Sequence, residues 1–202
     1  MLLIITGPQG SGNHLFSKIF ALDPDVVGWS KLNQEYWIGH DQEPFAEYWK
    51  DPGLLNNVVW NHDYYVTSVS CPYVYQGETL IPNYDEFIGR CPGKVKLAVI
   101  GRDQTILQYQ QSRVRGKETK LEFLNVVDNL MKYNPTFISQ ELLYLYGANY
   151  VQSLGQQLGI PVSQDILAIN EILKEDANKK YIEPVISHWL DEEVKLASRK
   201  PE

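Results

Sequence analysis

The stretch "LLIITGPQGSGNHLFSKIF", residues 2–20, decides the fold. Residues 2–6 are an uninterrupted apolar, β-rich run, which is typical of a strand covered on both faces of a parallel sheet. The turn-forming residues 7–12 follow, and from residue 15 onward the apolar side chains recur at helical spacing. The stretch therefore predicts a buried strand, a glycine-rich turn and a helix.

Later parts of the chain repeat this alternation. Three segments share the β-rich character of the first strand: residues 64–70, 94–101 and 136–140. Helical patterns follow at residues 106–115 and 121–132. Strands that alternate with helices indicate a doubly wound, mainly parallel sheet. We predict a three-layer α/β fold and a single domain over residues 1–202, which ends in one or two helices and a charged tail after Pro161.

Residues 30–61 interrupt the alternation and are predicted to form an insertion beside the sheet. In and around this segment lie many aromatic residues: Trp29, Tyr36, Trp37, Phe45, Tyr48, Trp49, Trp60, Tyr64 and Tyr65. Such rings could stack on a sugar ring or nucleobase acceptor, or they could form the core of the insertion itself.

Composition excludes several classes of function. The net charge of −7 and the pI near 5.1 argue against a broad basic surface for nucleic acid, although a small phosphorylated ligand needs only a few local cations. No apolar run reaches membrane-spanning length, and the N-terminus does not have the pattern of a signal peptide, so we expect a cytoplasmic protein that does not bind a membrane. Cys71 and Cys91 have no metal-type spacing, so we expect reduced thiols and no metal.

The glycine-rich turn has the features of an anion-binding loop. Glycines permit positive φ angles and close approach of a ligand, and a helix start adds unsatisfied N–H donors. The spacing from Gly7 to Gly12 matches the G-x-x-x-x-G of the Walker motif. Asn13 and His14, however, stand where that motif has Lys and Ser/Thr, which opposes ordinary ATP or GTP hydrolysis. A turn that binds no ligand is the other interpretation.

The segment "TGPQGSGNHLF", residues 6–16, resembles the phosphosulfate-binding loop P-[K/R]-S-G-T-T of the sulfotransferases. In that family the donor is 3′-phosphoadenosine 5′-phosphosulfate, and no magnesium is needed. Residues 11–14 overlay S-G-T-T, and Gln9 or Gly10 stands where the family has its basic residue. The resemblance implies a fold of the P-loop NTPase/sulfotransferase type and donor contacts from these residues: Gly7, Gln9, Gly10, Ser11, Gly12, Asn13 and His14.

A second segment, "KLAVIGRDQTILQYQQSRVRG" at residues 96–116, places a cation near this loop. Arg102 follows a predicted strand, so it lies at the carboxyl edge of the sheet, where ligands of open α/β sheets bind. The segment resembles the family's strand-R-[N/D]-P-x(5)-S, in which the arginine and the serine hold the 3′-phosphate. Arg102 fits, Gln104 replaces the proline, and the serine position falls on Gln110 or, as we prefer, on Ser112.

The resemblance extends loosely towards the C-terminus. Residues 137–161 are similar to a strand-Y-E-x-L segment and the helix that follows it in the family. "DANKKYI" at residues 176–182 resembles the family's lysine-containing loop that closes over the donor nucleotide. Lys179 is therefore a further candidate for donor binding.

Transfer of a sulfonate group also needs a base near the acceptor. Many sulfotransferases place a histidine in K-x-H-x-P after the second strand, but the corresponding residues here, 68–72, read "SVSCP". Ser68 and Ser70 thus replace the lysine and the histidine. His62 and His14 are the remaining candidates for a catalytic role.

These observations favour a sulfotransferase that acts on the hydroxyl of a small-molecule or carbohydrate acceptor. A small-molecule or nucleotide kinase that uses ATP is the first alternative, which the loop spacing permits. A non-catalytic nucleotide-binding module is the second. The sequence predicts neither the acceptor nor the oligomeric state.

Overall fold

The computed structural model describes residues 1–28, 43, 45–115, 118–174 and 187, with the backbone alone for residues 113–115. Seven strands occur among them: β1 (Leu2–Pro8), β2 (Val26–Val27), β3 (Tyr64–Cys71), β4 (Tyr73–Tyr75), β5 (Glu78–Leu80), β6 (Val95–Gly101) and β7 (Thr136–Ser139). Seven α-helices accompany them: α1 (Asn13–Phe20), α2 (Ala46–Lys50), α3 (Tyr84–Arg90), α4 (Gln104–Arg115), α5 (Lys120–Leu130), α6 (Gln140–Leu158) and α7 (Ile166–Lys174).

Five of the strands form one sheet in the order β2–β3–β1–β6–β7, and every pair in it is parallel. Leu2 in the central strand β1 pairs with Tyr65 on one side and with Val95 on the other. β4 and β5 form a separate antiparallel hairpin. The predicted α/β class with a mainly parallel sheet is confirmed.

Helices cover both faces of the sheet, which explains why β1 is apolar throughout. Successive side chains of a strand point to opposite faces. Leu3 and Ile5 pack in one core cluster with residues of α1, α6 and α7. Leu2 and Ile4 pack in the other with residues of α2, α3 and α5. The two clusters produce the three layers predicted from the sequence.

The order of the strands creates a switch point between β1 and β6. From β1 the chain crosses through α1 on one face to the β2 edge, and from β6 it crosses through α5 on the other face to the β7 edge. When the connections after two neighbouring strands run in opposite directions, a crevice forms outside the carboxyl ends of these strands. Ligands of open α/β sheets bind in this crevice. The loops after β1 and β6 therefore meet at this crevice.

The predicted strands and the helices α1, α4 and α5 lie within about three residues of the observed ones, as expected for element boundaries. The sequence prediction missed the hairpin β4–β5, whose turn residues Gln76 and Gly77 both have positive φ. Paired positive φ angles are typical of a two-residue hairpin turn, but Gln is a rare choice for the first position. Within the predicted insertion, the described residues form α2 and a 3₁₀-helix at Pro52–Asn57.

In the described part of the chain, no helix combines the length and the hydropathy that a membrane span requires.

Candidate functional site

The turn between β1 and α1 is a tight loop that depends on two glycines. Gly10 has φ 87° and Gly12 has φ 97°, in the left-handed region that favours glycine. The backbone N–H of Ser11 donates to the carbonyl of Pro8 at 3.1 Å, and Gly12 is the N-cap of α1. The loop thus joins a buried strand directly to a helix N-terminus at the switch point.

The carbonyls of this loop point towards the α4 side of the crevice. The carbonyl of Gln9 accepts from Gln111 Nε2 at 2.7 Å, and that of Gly10 accepts from the guanidinium of Arg102. The N–H and C=O of a trans peptide point in opposite directions, so the N–H of Gly10 points away from Gln111. Among the described residues, the backbone N–H groups of Gly10, Gly12 and Asn13 have no hydrogen-bond acceptor. Such a set of donors at a helix start suits an anion.

Arg102 lies directly after β6 and is only 6% exposed. Its Nη1 donates to the Gly10 carbonyl and to Gln110 Oε1. The sequence predicted that Arg102 and the loop share one edge of the sheet, and the structure brings them into direct contact. Their role in binding a donor stays a prediction.

Buried glutamines fix the loop from both sides. Gln9 Oε1 accepts from Thr119 Oγ1 at 3.0 Å, and Gln111 Oε1 accepts from the Thr119 backbone N–H at 2.8 Å.

A Cβ atom on Gly10 would lie 3.0 Å from the Gln110 side chain, and one on Gly12 would lie 2.3 Å from Gln140 Oε1. The loop therefore has little freedom to move, and its backbone N–H groups are held in place. Sequence patterns gave no sign of Gln111, Thr119 or Gln140, because these contacts join distant parts of the chain.

The structure places Gln110, not Ser112, beside Arg102. Two residues along a helix correspond to a rotation of about 200°, so the two side chains lie on different faces of α4. Ser112 is exposed. The geometry therefore favours Gln110 over our preferred Ser112 as the partner of Arg102, and which of the two contacts a donor stays a prediction. Lys179 lies outside the described residues.

A buried carboxylate lies beside His14, the second residue of α1. His14 Nδ1 is 3.6 Å from Glu43 Oε2, and Glu43 is only 7% exposed. The other oxygen of Glu43 accepts from the backbone N–H of Ser68 at 2.5 Å and from its hydroxyl at 2.6 Å. Ser17 Oγ lies 3.1 Å from both Ser68 Oγ and the His14 carbonyl. Glu43 was not a candidate from the sequence, because it lies in the segment that we took as an insertion.

His62 does not belong to this site. It is exposed and precedes β3, next to the amino edge of the sheet. In the parallel register, Leu2 pairs with Tyr65, whereas Gly7 pairs with Ser70. At about 3.3 Å per residue, the strand separates His62 from the loop by more than about 20 Å. The hypothesis that His62 is the base is therefore corrected.

The described aromatic residues of the predicted insertion pack mainly against one another and against α3. Phe45 stacks on Trp60 at 6.0 Å between ring centroids, and Trp49 stacks on Phe87 at 3.7 Å. A cleft beside Glu43, also lined by Trp49 and Ser68, has a free volume of about 10 Å³, which is too small for anything larger than one water molecule. The described rings therefore form a core. Trp29, Tyr36 and Trp37 lie outside the described residues.

Neither cysteine is a nucleophile candidate, although both are free thiols. Burial, with a smaller effect of Glu122, raises the pKa of Cys71 to about 12. Burial raises the pKa of Cys91 to about 12 as well. Both thiols are thus neutral near neutral pH.

Among the described residues, no three His, Cys, Asp or Glu side chains form a group that could hold a metal ion.

Among the comparisons with known proteins, only the one with solved structures found similar proteins. No protein-family model matches the chain, and neither does any curated protein. A shikimate kinase from Bacteroides thetaiotaomicron is similar with a TM-score of 0.41 and 15% identity, over 79% of this chain and 99% of the kinase. A retinol dehydratase in complex with androsterone and the inactive cofactor PAP is similar with a TM-score of 0.39 and 14% identity, over 85% of this chain and 62% of the dehydratase.

Proposed function

We propose that this chain binds 3′-phosphoadenosine 5′-phosphosulfate and transfers its sulfonate group to a hydroxyl of a small-molecule or carbohydrate acceptor. The observation that carries the proposal is the group of backbone N–H donors at Gly10, Gly12 and Asn13, next to the buried guanidinium of Arg102. Backbone donors at a helix start and a nearby arginine are the groups that bind phosphate in proteins. They supply local positive charge in a chain whose net charge is −7.

The residues after the loop favour a donor that needs no metal. In a P-loop NTPase, a lysine contacts the β- and γ-phosphates and a hydroxyl binds magnesium. Asn13 takes the place of that lysine, and its side-chain amide lies 3.5 Å from the carbonyls of Gly7 and Pro8, within the loop. His14 takes the place of the hydroxyl. ATP with magnesium therefore lacks its usual partners at these two positions.

A non-catalytic nucleotide-binding module is the second candidate. One observation favours it: Ser68 and Ser70, which are both buried, stand where the resemblance would place the lysine and the catalytic histidine. Such a module keeps the anion-binding loop and Arg102 and has no transfer activity.

Isothermal titration calorimetry with adenosine 3′,5′-bisphosphate, ATP and GTP, each with and without Mg²⁺, tests the proposal. We expect the bisphosphate to bind best and its affinity to be independent of Mg²⁺. Arg102→Gln should weaken this binding by roughly tenfold to 100-fold, because a hydrogen bond to a charged group contributes about 1.5–3 kcal/mol. The matched control is Arg90→Gln, which removes an exposed arginine paired with Glu86 on α3 and should leave affinity unchanged.

Two results contradict the proposal. Preference for ATP with Mg²⁺ identifies the chain as a kinase instead. If the bisphosphate binds tightly but no acceptor in a broad screen receives a sulfonate group, the chain is the non-catalytic module.

A further inference from the structure

A patch of exposed apolar side chains lies on the surface of α6 and α7. It consists of Leu142, Leu145 and Tyr146 from α6 and of Ile166 and Leu167 from α7. Leu145 is 64% exposed and Leu167 is 77% exposed. We propose that this α6–α7 patch is the docking surface for the chain's own C-terminal segment, residues 182–190. This inference does not depend on the proposed function.

A kink in α6 creates its part of the patch. Gly147 has φ 51° and ψ −129°, which are not helical angles, so it separates residues 140–146 from the rest of the helix. Beyond the kink, apolar side chains such as Leu154 pack in the core. Before the kink, Leu143 packs in the core, but the α6 residues of the patch are exposed. Their spacing of three and four residues places them together on one face of the helix.

An open cleft joins the α6 and α7 parts of the patch. It has a free volume of about 420 Å³, and Leu145, Tyr146 and Ile166 line it together with Leu173. The apolar side chains of the two helices therefore form one continuous surface around a depression, with room for a large side chain. Contiguous exposed apolar surface of this kind marks an interaction site.

The segment "IEPVISHWL", residues 182–190, has the sequence pattern of an amphipathic helix. Its apolar residues stand at positions i, i+3, i+4, i+7 and i+8: Ile182, Val185, Ile186, Trp189 and Leu190. Pro184 fits the first turn of such a helix. Ser187, on the polar side of this pattern, is the residue of the segment that the structure describes, and it is helical and exposed. The opposite, apolar side of the pattern needs a surface to pack against.

The path of α7 leads the chain to the patch. Gln152 Nε2 donates to the Ser163 carbonyl at 2.9 Å, and Gln152 Oε1 accepts from Gln164, so α7 begins beside the middle of α6. At the other end of α7, Leu173 Cδ1 would lie 3.6 Å from a Cβ atom on Gly147. α7 therefore runs back along α6 towards the kink and ends beside the cleft.

Residues 175–181 connect α7 to the segment, and this connection is long enough. Seven extended residues span up to about 25 Å, whereas the patch extends about 6 Å along α6 from Leu142 to Tyr146. A segment on a short tether is present at an effective concentration on the order of millimolar. The chain's own segment therefore has an advantage over a separate partner for this surface.

Hydrogen exchange of the whole chain, read by mass spectrometry, tests the inference. In the wild type we expect the amides of residues 185–190 to exchange at least about tenfold more slowly than in an unstructured chain. Leu145→Asp should reduce this protection about tenfold, because a charge is costly to bury in the cleft. The matched control is Leu124→Asp, which changes an exposed leucine of α5 on the other face of the sheet and should leave the protection unchanged.

Two further variants complete the design. Trp189→Asp changes the segment instead of the patch and should give the same loss of protection. Ile166→Asp changes the patch from α7 and takes the place of Leu145→Asp if that variant does not fold. Slow exchange of the amides of β1 identifies the variants that are folded.

Three results overturn the inference. Rapid exchange of residues 185–190 in the wild type means that the segment is not docked. Protection that survives both patch variants means that the segment packs elsewhere. Protection that is lost on dilution, as a dimer dissociates in analytical ultracentrifugation, means that a second copy of the chain supplies the segment.

Discussion

Gly12→Ala should destabilise the protein by about 2–5 kcal/mol, and two separable effects contribute. The backbone angle φ of 97° at Gly12 is strained for any residue with a Cβ atom, which costs about 1–2 kcal/mol. The new Cβ would also lie 2.3 Å from Gln140 Oε1, where ordinary contacts begin at 3.4 Å. Because Gln140 is fully buried, it cannot swing into solvent, and such overpacking typically costs about 1–3 kcal/mol.

Equilibrium unfolding in denaturant measures this loss, and Gly77→Ala provides the matched control. Gly77 also has a positive φ, of 82°, but a Cβ there would have nothing within 4 Å. We therefore expect Gly77→Ala to show the backbone strain alone, about 1–2 kcal/mol. In the double variant with Gln140→Ala, Gly12→Ala should cost less than it does alone, since the overlapping atom is gone. If Gly12→Ala loses no more stability than Gly77→Ala, the packing of Gln140 against the loop is wrong.

Three further predictions concern other parts of the fold. Ser139→Ala should cost about 1 kcal/mol in denaturant unfolding, because the Ser139 hydroxyl accepts from the Leu142 N–H and caps α6; no loss would contradict this cap. Gln110→Ala should weaken binding of adenosine 3′,5′-bisphosphate while Ser112→Ala leaves it unchanged, and calorimetry that shows the reverse would restore the serine as the partner of Arg102. The pKa of Cys71 rises on folding from 9.0 to about 12, so its contribution to stability is complete below pH 9 and is lost as pH rises towards 12. The free energy of unfolding should thus fall less steeply above pH 9 in Cys71→Ala than in the wild type. Identical slopes in the two proteins would refute the effect of burial on this thiol.

The sequence predicted the central fold because its evidence is local. β1 is apolar at every position from Leu2 to Ile5, and that pattern identifies a strand covered on both faces without knowledge of its neighbours. The spacing of Gly7 and Gly12 and the position of Arg102 after a strand are also local. The rule that carboxyl ends of parallel strands meet at one edge then placed Arg102 beside the loop.

The remaining features of the site depend on contacts between distant residues. Glu43 contacts Ser68 and His14, which lie on separate elements, and no periodic pattern marks it as buried. Gln110 and Ser112 differ by two positions, and their roles depend on the rotation of α4, which sequence spacing leaves open. We chose His62 because it lies near β3 in sequence. It precedes β3 and so lies at the amino end of this strand, whereas the loop after β1 lies at the carboxyl edge of the sheet.

The central claim is that the amides of the loop and Arg102 form one anion-binding site at the edge of the sheet. Titration of ¹⁵N-labelled protein with adenosine 3′,5′-bisphosphate in the absence of Mg²⁺ tests it directly, through the backbone amide signals. We predict that the largest shifts occur at Gly10, Gly12 and Asn13, and that Arg102→Gln reduces them. Saturable binding that leaves these three signals in place and shifts residues elsewhere would contradict the account.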